Sequence, residues 1–112
     1  MNDLDETFAA LADPTRRRVI ELLRDGPRRA GDLAEGSHTS RAAMSRHLRV
    51  LRNTGIVDVE LLEDDARGRV YRLRPDQFVA LQAWLDQVRA FWSEQLGSFK
   101  EHAERSARRK RR

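Results

Sequence analysis

Cysteine is absent from the 112 residues. That excludes disulfides, thiolate metal ligation and thiol redox chemistry. Aromatic residues make up only 6% of the chain and the hydrophobic class 39%, but the apolar residues fall in periodic groups, which argues against general disorder. No apolar run exceeds a few residues, too short for a membrane-spanning helix, and the first residues, MNDLDETF, are acidic with no apolar signal core. The expected location is the bacterial cytoplasm. No glycine-rich phosphate loop, nucleophile–histidine pair or apolar-set carboxylate pair is visible, and the expectation is a non-enzyme without a cofactor.

Charge is abundant, at 36% of residues with a net of +4, but it is placed unevenly. Residues 105–112, RSARRKRR, hold six of the 22 basic side chains and no acid. The other 104 residues carry the remaining 16 against all 18 acids. The high isoelectric point therefore belongs to the tail, and an argument for nucleic-acid binding has to rest on local placement of charge. The expected organisation is one domain over 1–104, followed by a basic, disordered tail over 105–112.

Leu4, Phe8 and Leu11 at i, i+4, i+7 predict a short amphipathic helix that stops at Ala12. Asp13-Pro14 supplies an N-cap and a first-turn proline for a second helix to about Arg24. Val19, Ile20, Leu22 and Leu23 point inward there, and Arg16, Arg17 and Arg18 lie mostly outside. A short segment follows over Ala30–Glu35, then turn chemistry in Gly36-Ser37-His38-Thr39. Thr39 or Ser40 caps a further helix, which ends near Asn53 before Gly55. The segments 56–62 and 69–73 alternate and are β-rich, a hairpin with a charged tip. A last helix opens at Pro75-Asp76 and runs to about Glu104. The fold class is mostly α with a small β-hairpin, in the order α-α-α-α-β-β-α: a winged helix-turn-helix.

The helix over 40–53 carries the chemistry. SRAAMSRHLRVLRNTG, Ser40 to Gly55, has four arginines and no acid. On a helical wheel Met44, Leu48 and Leu51 fall within about 60° of one another, the core stripe. Ala42, Ser45, Arg46, Arg49 and Asn53 lie opposite, with Arg41 and Arg52 at the flank and His47 near the boundary. Arginine pairs bidentately with guanine, and an alanine methyl meets the thymine methyl. Recognition helices use their N-terminal residues on base edges, which selects Ser40, Arg41, Ala42, Ser45 and Arg46. Arg49 and Arg52 lie farther along and suit phosphates. In the wing, 56–74, Arg67 and Arg69 flank Gly68, where an arginine can enter a narrow minor groove; Glu63, Asp64 and Asp65 beside them leave a plain polar turn open as the other reading.

LADPTRRRVIELL, SRAAMSRHLRVLRNTGIV and RGRVYRL together resemble the ArsR family of bacterial winged-helix repressors. The resemblance covers about Phe8 to Leu73. It implies a homodimer, double-stranded operator DNA as partner and, in many members, a small-molecule inducer. His47 matches the family's helix pattern and serves to contact DNA or to hold the helix. Metal-sensing members carry cysteines at the start of the third helix. Here Asp32-Leu33 match, but Arg29 and Gly31 stand where those cysteines would be, and Asp86 and His102 lie more than four turns apart. No metal site is expected.

The last helix carries a stripe about 140° wide, too broad for one shallow contact. Trp84, Val88, Phe91 and Trp92 are assigned to a dimer interface, with Leu4, Phe8 and Leu11 of the first helix. The expected function is a sequence-specific transcriptional regulator, a dimeric repressor reading an inverted repeat. The alternatives are a winged-helix protein-interaction module and a non-specific nucleic-acid binder.

Overall fold

A computed structural model describes residues 3–62 and 68–110. The helices are α1 (Asp3–Leu11), α2 (Pro14–Leu23), α3 (Ala30–Gly36), α4 (Arg41–Thr54) and α5 (Asp76–Lys110), with strands β1 (Val57–Leu61) and β2 (Arg69–Leu73) between α4 and α5. This is the winged helix-turn-helix order. The chain divides into two compact units, residues 1–81 and 82–112.

In the first unit the helix ends are fixed by the residues that composition and spacing single out. Asp13 Oδ1 accepts hydrogen bonds from the backbone N–H groups of Thr15 and Arg16 at 2.8 and 3.1 Å, with Pro14 in the first turn of α2. Of the two candidates for the α4 cap, Ser40 is the one used: its Oγ accepts from Ala43 N at 3.1 Å. Gly55 closes α4 in the left-handed conformation, φ +84°, and Ile56 N then reaches back to Leu51 O at 3.0 Å. Each cap satisfies backbone groups that a helix end leaves open.

The core lies where α2, α3 and α4 meet the first strand. Val19, Leu33, Met44, Leu48, Leu51 and Ile56 are each 1% exposed or less. Burying one such side chain contributes about 1.5–3 kcal/mol. Ile20, Leu22, Leu73 and Phe78 pack around this centre half-buried. The approach of α3 to α2 is close: a Cβ on Gly36 would lie 2.9 Å from Leu22 Cδ1. The turn that follows runs through His38 at φ +54°, a left-handed conformation taken here by a residue with a side chain.

β1 and β2 pair antiparallel, Val57 opposite Leu73 and Leu61 opposite Arg69. A third strand fragment, not expected from the sequence, joins them. Arg28 and Tyr71 exchange backbone hydrogen bonds at 3.0 and 2.7 Å, tying the loop before α3 to the middle of β2.

The last helix is longer than its sequence reading. It continues past Glu104 through Arg105, Arg108 and Arg109 to Lys110. No glycine or proline follows Gly97 to stop it, and arginine, lysine and alanine are good helix formers. Cations in the last turn also complement the helix dipole. In the second unit Trp84, Leu85, Phe91, Trp92, Leu96 and Phe99 are exposed by 38 to 72%.

Candidate nucleic-acid interface

The arginines divide into two classes by what they touch. Those of α2 are engaged with backbone carbonyls. Arg16 Nε donates to Ala10 O at 2.7 Å and Nη2 to Ala9 O at 3.1 Å; Arg17 Nη1 donates to Leu11 O at 2.7 Å; Arg18 Nε donates to Gly36 O at 3.3 Å. The run Arg16-Arg17-Arg18 thus satisfies the open carbonyls at the C-terminal ends of α1 and α3. Arg28 does the same for Leu22 O at 2.9 Å. Arg72 and Arg74 pair with acids at the surface: Arg72 with Asp58 at 3.6 Å and Glu60 at 4.0 Å, Arg74 with Asp76 at 3.3 Å.

The arginines of α4 are different. Arg41, Arg46, Arg49 and Arg52 are all exposed, and none makes an ion pair or side-chain hydrogen bond among the described residues. Arg69 of β2 shares this condition. Ala42, Ser45 and Asn53 are exposed beside them, while Met44, Leu48 and Leu51 are buried as the wheel requires. Among the described residues, folding therefore uses the side chains of the α2 arginines and not those of α4. Arg67 lies outside the described residues.

Two clefts run between α4 and the hairpin. The first, of about 430 Å³, has Ser45, Arg49, Arg52 and Asn53 on one wall and Arg69 and Tyr71 on the other, with Leu48 beneath. The second, of about 460 Å³, brings Arg29, Asp32 and Arg41 against the same Arg69 and Tyr71. Arg41 lies over the first turn of α3, where a Cβ on Gly31 would come 3.4 Å from its Nη2. Arg69 and Tyr71 are two apart in a strand and so share a face, the one turned to α4. That alternation is the signal by which Tyr71 could have been added to the site from sequence.

His47 occupies the other side of α4. It is half-buried, with Nδ1 3.3 Å from Arg16 Nη1. Of the two roles open to His47, contact with DNA or holding the helix, the contact with Arg16 fits the second. Close by, burial raises the Asp13 carboxyl, but the backbone donors of Arg16 and Thr15 with the charges of His47 and Arg16 outweigh it, and its pKa is lowered.

The residues expected at a dimer interface fall in both units. In the first, Leu4 and Leu11 are half-buried and Phe8 is 40% exposed. In the second, Val88 is half-buried and Trp84, Phe91 and Trp92 are exposed.

Residues 13–59 match the sequence pattern of the family described as "Bacterial regulatory protein, arsR family". The HTH-type transcriptional regulator Rv2034 of Mycobacterium tuberculosis is 39% identical over 97 residues, 85% of this chain and 83% of that protein. This chain belongs to the ArsR family. The transcriptional repressor SdpR of Bacillus subtilis is 35% identical over 66 residues, 59% of this chain and 68% of that protein. Among solved structures, an ArsR-like transcriptional regulator from Rhodococcus sp. RHA1 superposes with a TM-score of 0.78 at 28% identity, covering 91% of each chain. Among the described residues no three His, Asp or Glu side chains gather closely enough to hold a metal ion.

Proposed function

We propose that this chain is a sequence-specific DNA-binding transcriptional regulator, acting as a homodimeric repressor on an inverted-repeat operator. The observation that carries the reading is the set of exposed arginines on α4 that have no side-chain partner among the described residues, beside the clefts of the hairpin. Buried or carbonyl-bound arginines explain themselves. A row of unopposed ones repels itself and is relieved by phosphates. In this reading Ser40, Arg41, Ala42, Ser45 and Arg46 meet base edges in the major groove, and Arg49 and Arg52 meet the backbone. Leu4, Phe8 and Leu11, with Trp84, Val88, Phe91 and Trp92, meet the same residues of a second copy, which presents a second α4 about one DNA turn away. The names of the relatives, regulators and a repressor of transcription, support the same conclusion. A small-molecule inducer belongs to the proposal, and its chemistry is open.

The test is fluorescence anisotropy with DNA from upstream of the chain's own coding region, against a shuffled duplex, over a salt series. Preference for one sequence that survives moderate salt is the expected result. Equal and salt-fragile binding to both points instead to a non-specific coat or to a protein partner. Arg46→Ala is expected to cost about 1–3 kcal/mol at the preferred site and to relax sequence choice. Arg49→Ala is expected to weaken all duplexes alike and to flatten the salt slope. The opposite pattern would overturn the division of the face.

A further inference from the structure

A pocket of about 290 Å³ opens on the side of α4 that faces α1. Glu6, Ala9 and Ala10 form its α1 wall, and Val50, Asn53 and Thr54 its α4 wall. Each set is spaced i, i+3, i+4, so each is one face of its helix. The two alanines are too small to fill the space between the helices. Val50 is left 37% exposed, an apolar side chain of α4 that the core does not take up. Thr54 donates its hydroxyl to Val50 O at 2.7 Å and so brings no free donor to the wall. The volume falls at the low end for small-molecule sites.

The walls are mostly methyl groups with one charge among them that the fold does not use. Glu6 is the one acid among the described lining residues. It is half-buried and makes no ion pair among the described residues. A carboxylate partly withdrawn from water gains from a cation that brings its own hydrogen-bond donors. Methyl walls cannot replace the hydration shell of an inorganic ion, and no three His, Asp or Glu side chains gather among the described residues to hold a metal. The cation that fits is organic, an ammonium on a small hydrocarbon body. Arg16 sets its direction. The guanidinium lies at the carbonyls of Ala9 and Ala10, about one helical turn beyond Glu6. It repels an ammonium and attracts the face of an aromatic ring. The ammonium end therefore goes to Glu6 and a ring to Arg16.

The pocket meets the basic surface of α4 at two points. Asn53 lines both this pocket and the cleft of Arg49, Arg52 and Arg69. Arg16 lines the pocket and lies 3.3 Å from His47 of α4. On α1, Glu6, Ala9 and Ala10 lie about half a turn round from Leu4, Phe8 and Leu11. The face of α1 expected at the dimer seam therefore leaves the pocket open.

We propose that this pocket binds a small arylalkyl ammonium ion through Glu6, and that the bound ion shifts α4 against α1 and weakens its hold on DNA. The site stands on its own geometry, while its part in regulation rests on the regulator reading above and gives the inducer a chemical class.

The test titrates the full chain with benzylammonium, isobutylammonium, benzyl alcohol and benzoate, followed by the methyl resonances of Ala9, Ala10, Val50 and Thr54. Saturable shifts with benzylammonium are expected, with weaker binding of isobutylammonium and of benzyl alcohol and none of benzoate. Glu6→Gln keeps the shape and removes the charge, and is expected to weaken benzylammonium about tenfold, the scale of one charge-assisted hydrogen bond. Ala9→Leu, which fills the pocket from an exposed helix position, is expected to abolish binding. Circular dichroism checks that both variants fold. Equal binding of the ammonium and the alcohol, or undiminished binding by Glu6→Gln, overturns the ammonium class. No saturable shift with either ammonium overturns the site. The same probe is then added to the chain on its preferred duplex. Saturating benzylammonium is expected to lower DNA affinity about fivefold or more, with the response lost in Ala9→Leu. Binding in the pocket with unchanged DNA affinity overturns the regulatory part. A chain that binds no duplex at all sinks the regulator reading by itself, and the methyl shifts still decide the site.

Discussion

His38→Gly is expected to stabilise the chain, although it deletes an imidazole and adds a flexible residue. His38 sits at φ +54° in the turn between α3 and α4. For a residue with a Cβ the left-handed conformation costs roughly 1–2 kcal/mol, and histidine falls toward the lower end because it visits this region more readily than most. Glycine removes that cost and returns about 0.5–1 kcal/mol through the greater freedom of its unfolded chain. The side chain is exposed and forms no hydrogen bond among the described residues, so its loss subtracts little. The bond from His38 N to Glu35 O at 3.2 Å survives, since glycine keeps its N–H. The net is a gain of up to about 1 kcal/mol, or a rise of a few degrees in melting temperature, at ~4–8 °C per kcal/mol for a domain of this size. Thermal unfolding followed by circular dichroism measures it, at several protein concentrations because association shifts the midpoint. His38→Val is the counterpart, since a β-branched residue at positive φ is strained, and it is expected to lower the midpoint. A lower midpoint for glycine with an unchanged one for valine would refute the left-handed turn.

Other expectations follow from single contacts. Arg16→Ala removes donors to two carbonyls of α1 and the link to His47, and is expected to cost about 2–3 kcal/mol in urea unfolding; Arg16→Lys, with one charged head, recovers only part. The lowered pKa of Asp13 has a definite sign. A carboxyl depressed in the folded state contributes stability above its ordinary pKa, and that contribution is lost as pH falls through the folded value. Asp13→Asn keeps a capping oxygen and is expected to unfold with a shallower acid limb, compared by midpoints between neutral pH and pH 3. Ser37 Oγ is buried with no hydrogen-bond partner among the described residues. Ser37→Ala is therefore expected to be neutral or to stabilise by up to about 1 kcal/mol in the same assay; a clear loss would mean that the hydroxyl is bonded in solution.

Much of the scaffold was legible because its determinants are local. Asp13-Pro14, Ser40 and Gly55 announce helix ends through their own backbone and side-chain chemistry, and the buried stripe of Met44, Leu48 and Leu51 follows from spacing alone. What escaped was non-local. Arg16, Arg17 and Arg18 read as an outer polar face, because the carbonyls they satisfy belong to α1 and α3. The bridge between Arg28 and Tyr71 joins residues far apart in sequence, and nothing near Arg28 signals it beyond the extended backbone that follows Pro27. The length of α5 is ambiguous in sequence for another reason: a run such as RSARRKRR has the charge of a disordered tail and also the residues of a helix C-terminus. The wheel placed the α4 arginines correctly, but it could not tell that the other basic run was committed to the fold.

That distinction bears on how the cleft between α4 and β2 would meet DNA. α4 is held by its core stripe, by the contact of His47 with Arg16, and at its end by the Gly55 cap. β2 is held by β1 and by Arg28. Neither wall of the cleft needs to be ordered when DNA arrives, so the cost of arranging Arg49, Arg52 and Arg69 was met during folding, where the cations are kept apart by the backbone that carries them. Binding one phosphate then relieves repulsion that is already present, and it sets the depth and angle of α4 before any base is read. Loosening the wall should therefore harm register without removing a charge. Tyr71→Gly, which keeps all three arginines but weakens the strand and empties one wall, is expected to reduce the discrimination between preferred and shuffled DNA more than Arg69→Ala does, while leaving the salt slope nearly intact. The comparison is made by anisotropy on the same duplexes, with unfolding curves to confirm that the variant remains folded. If the two variants lose the same slope and keep the same discrimination, the cleft is only a patch of charge and its geometry sets nothing.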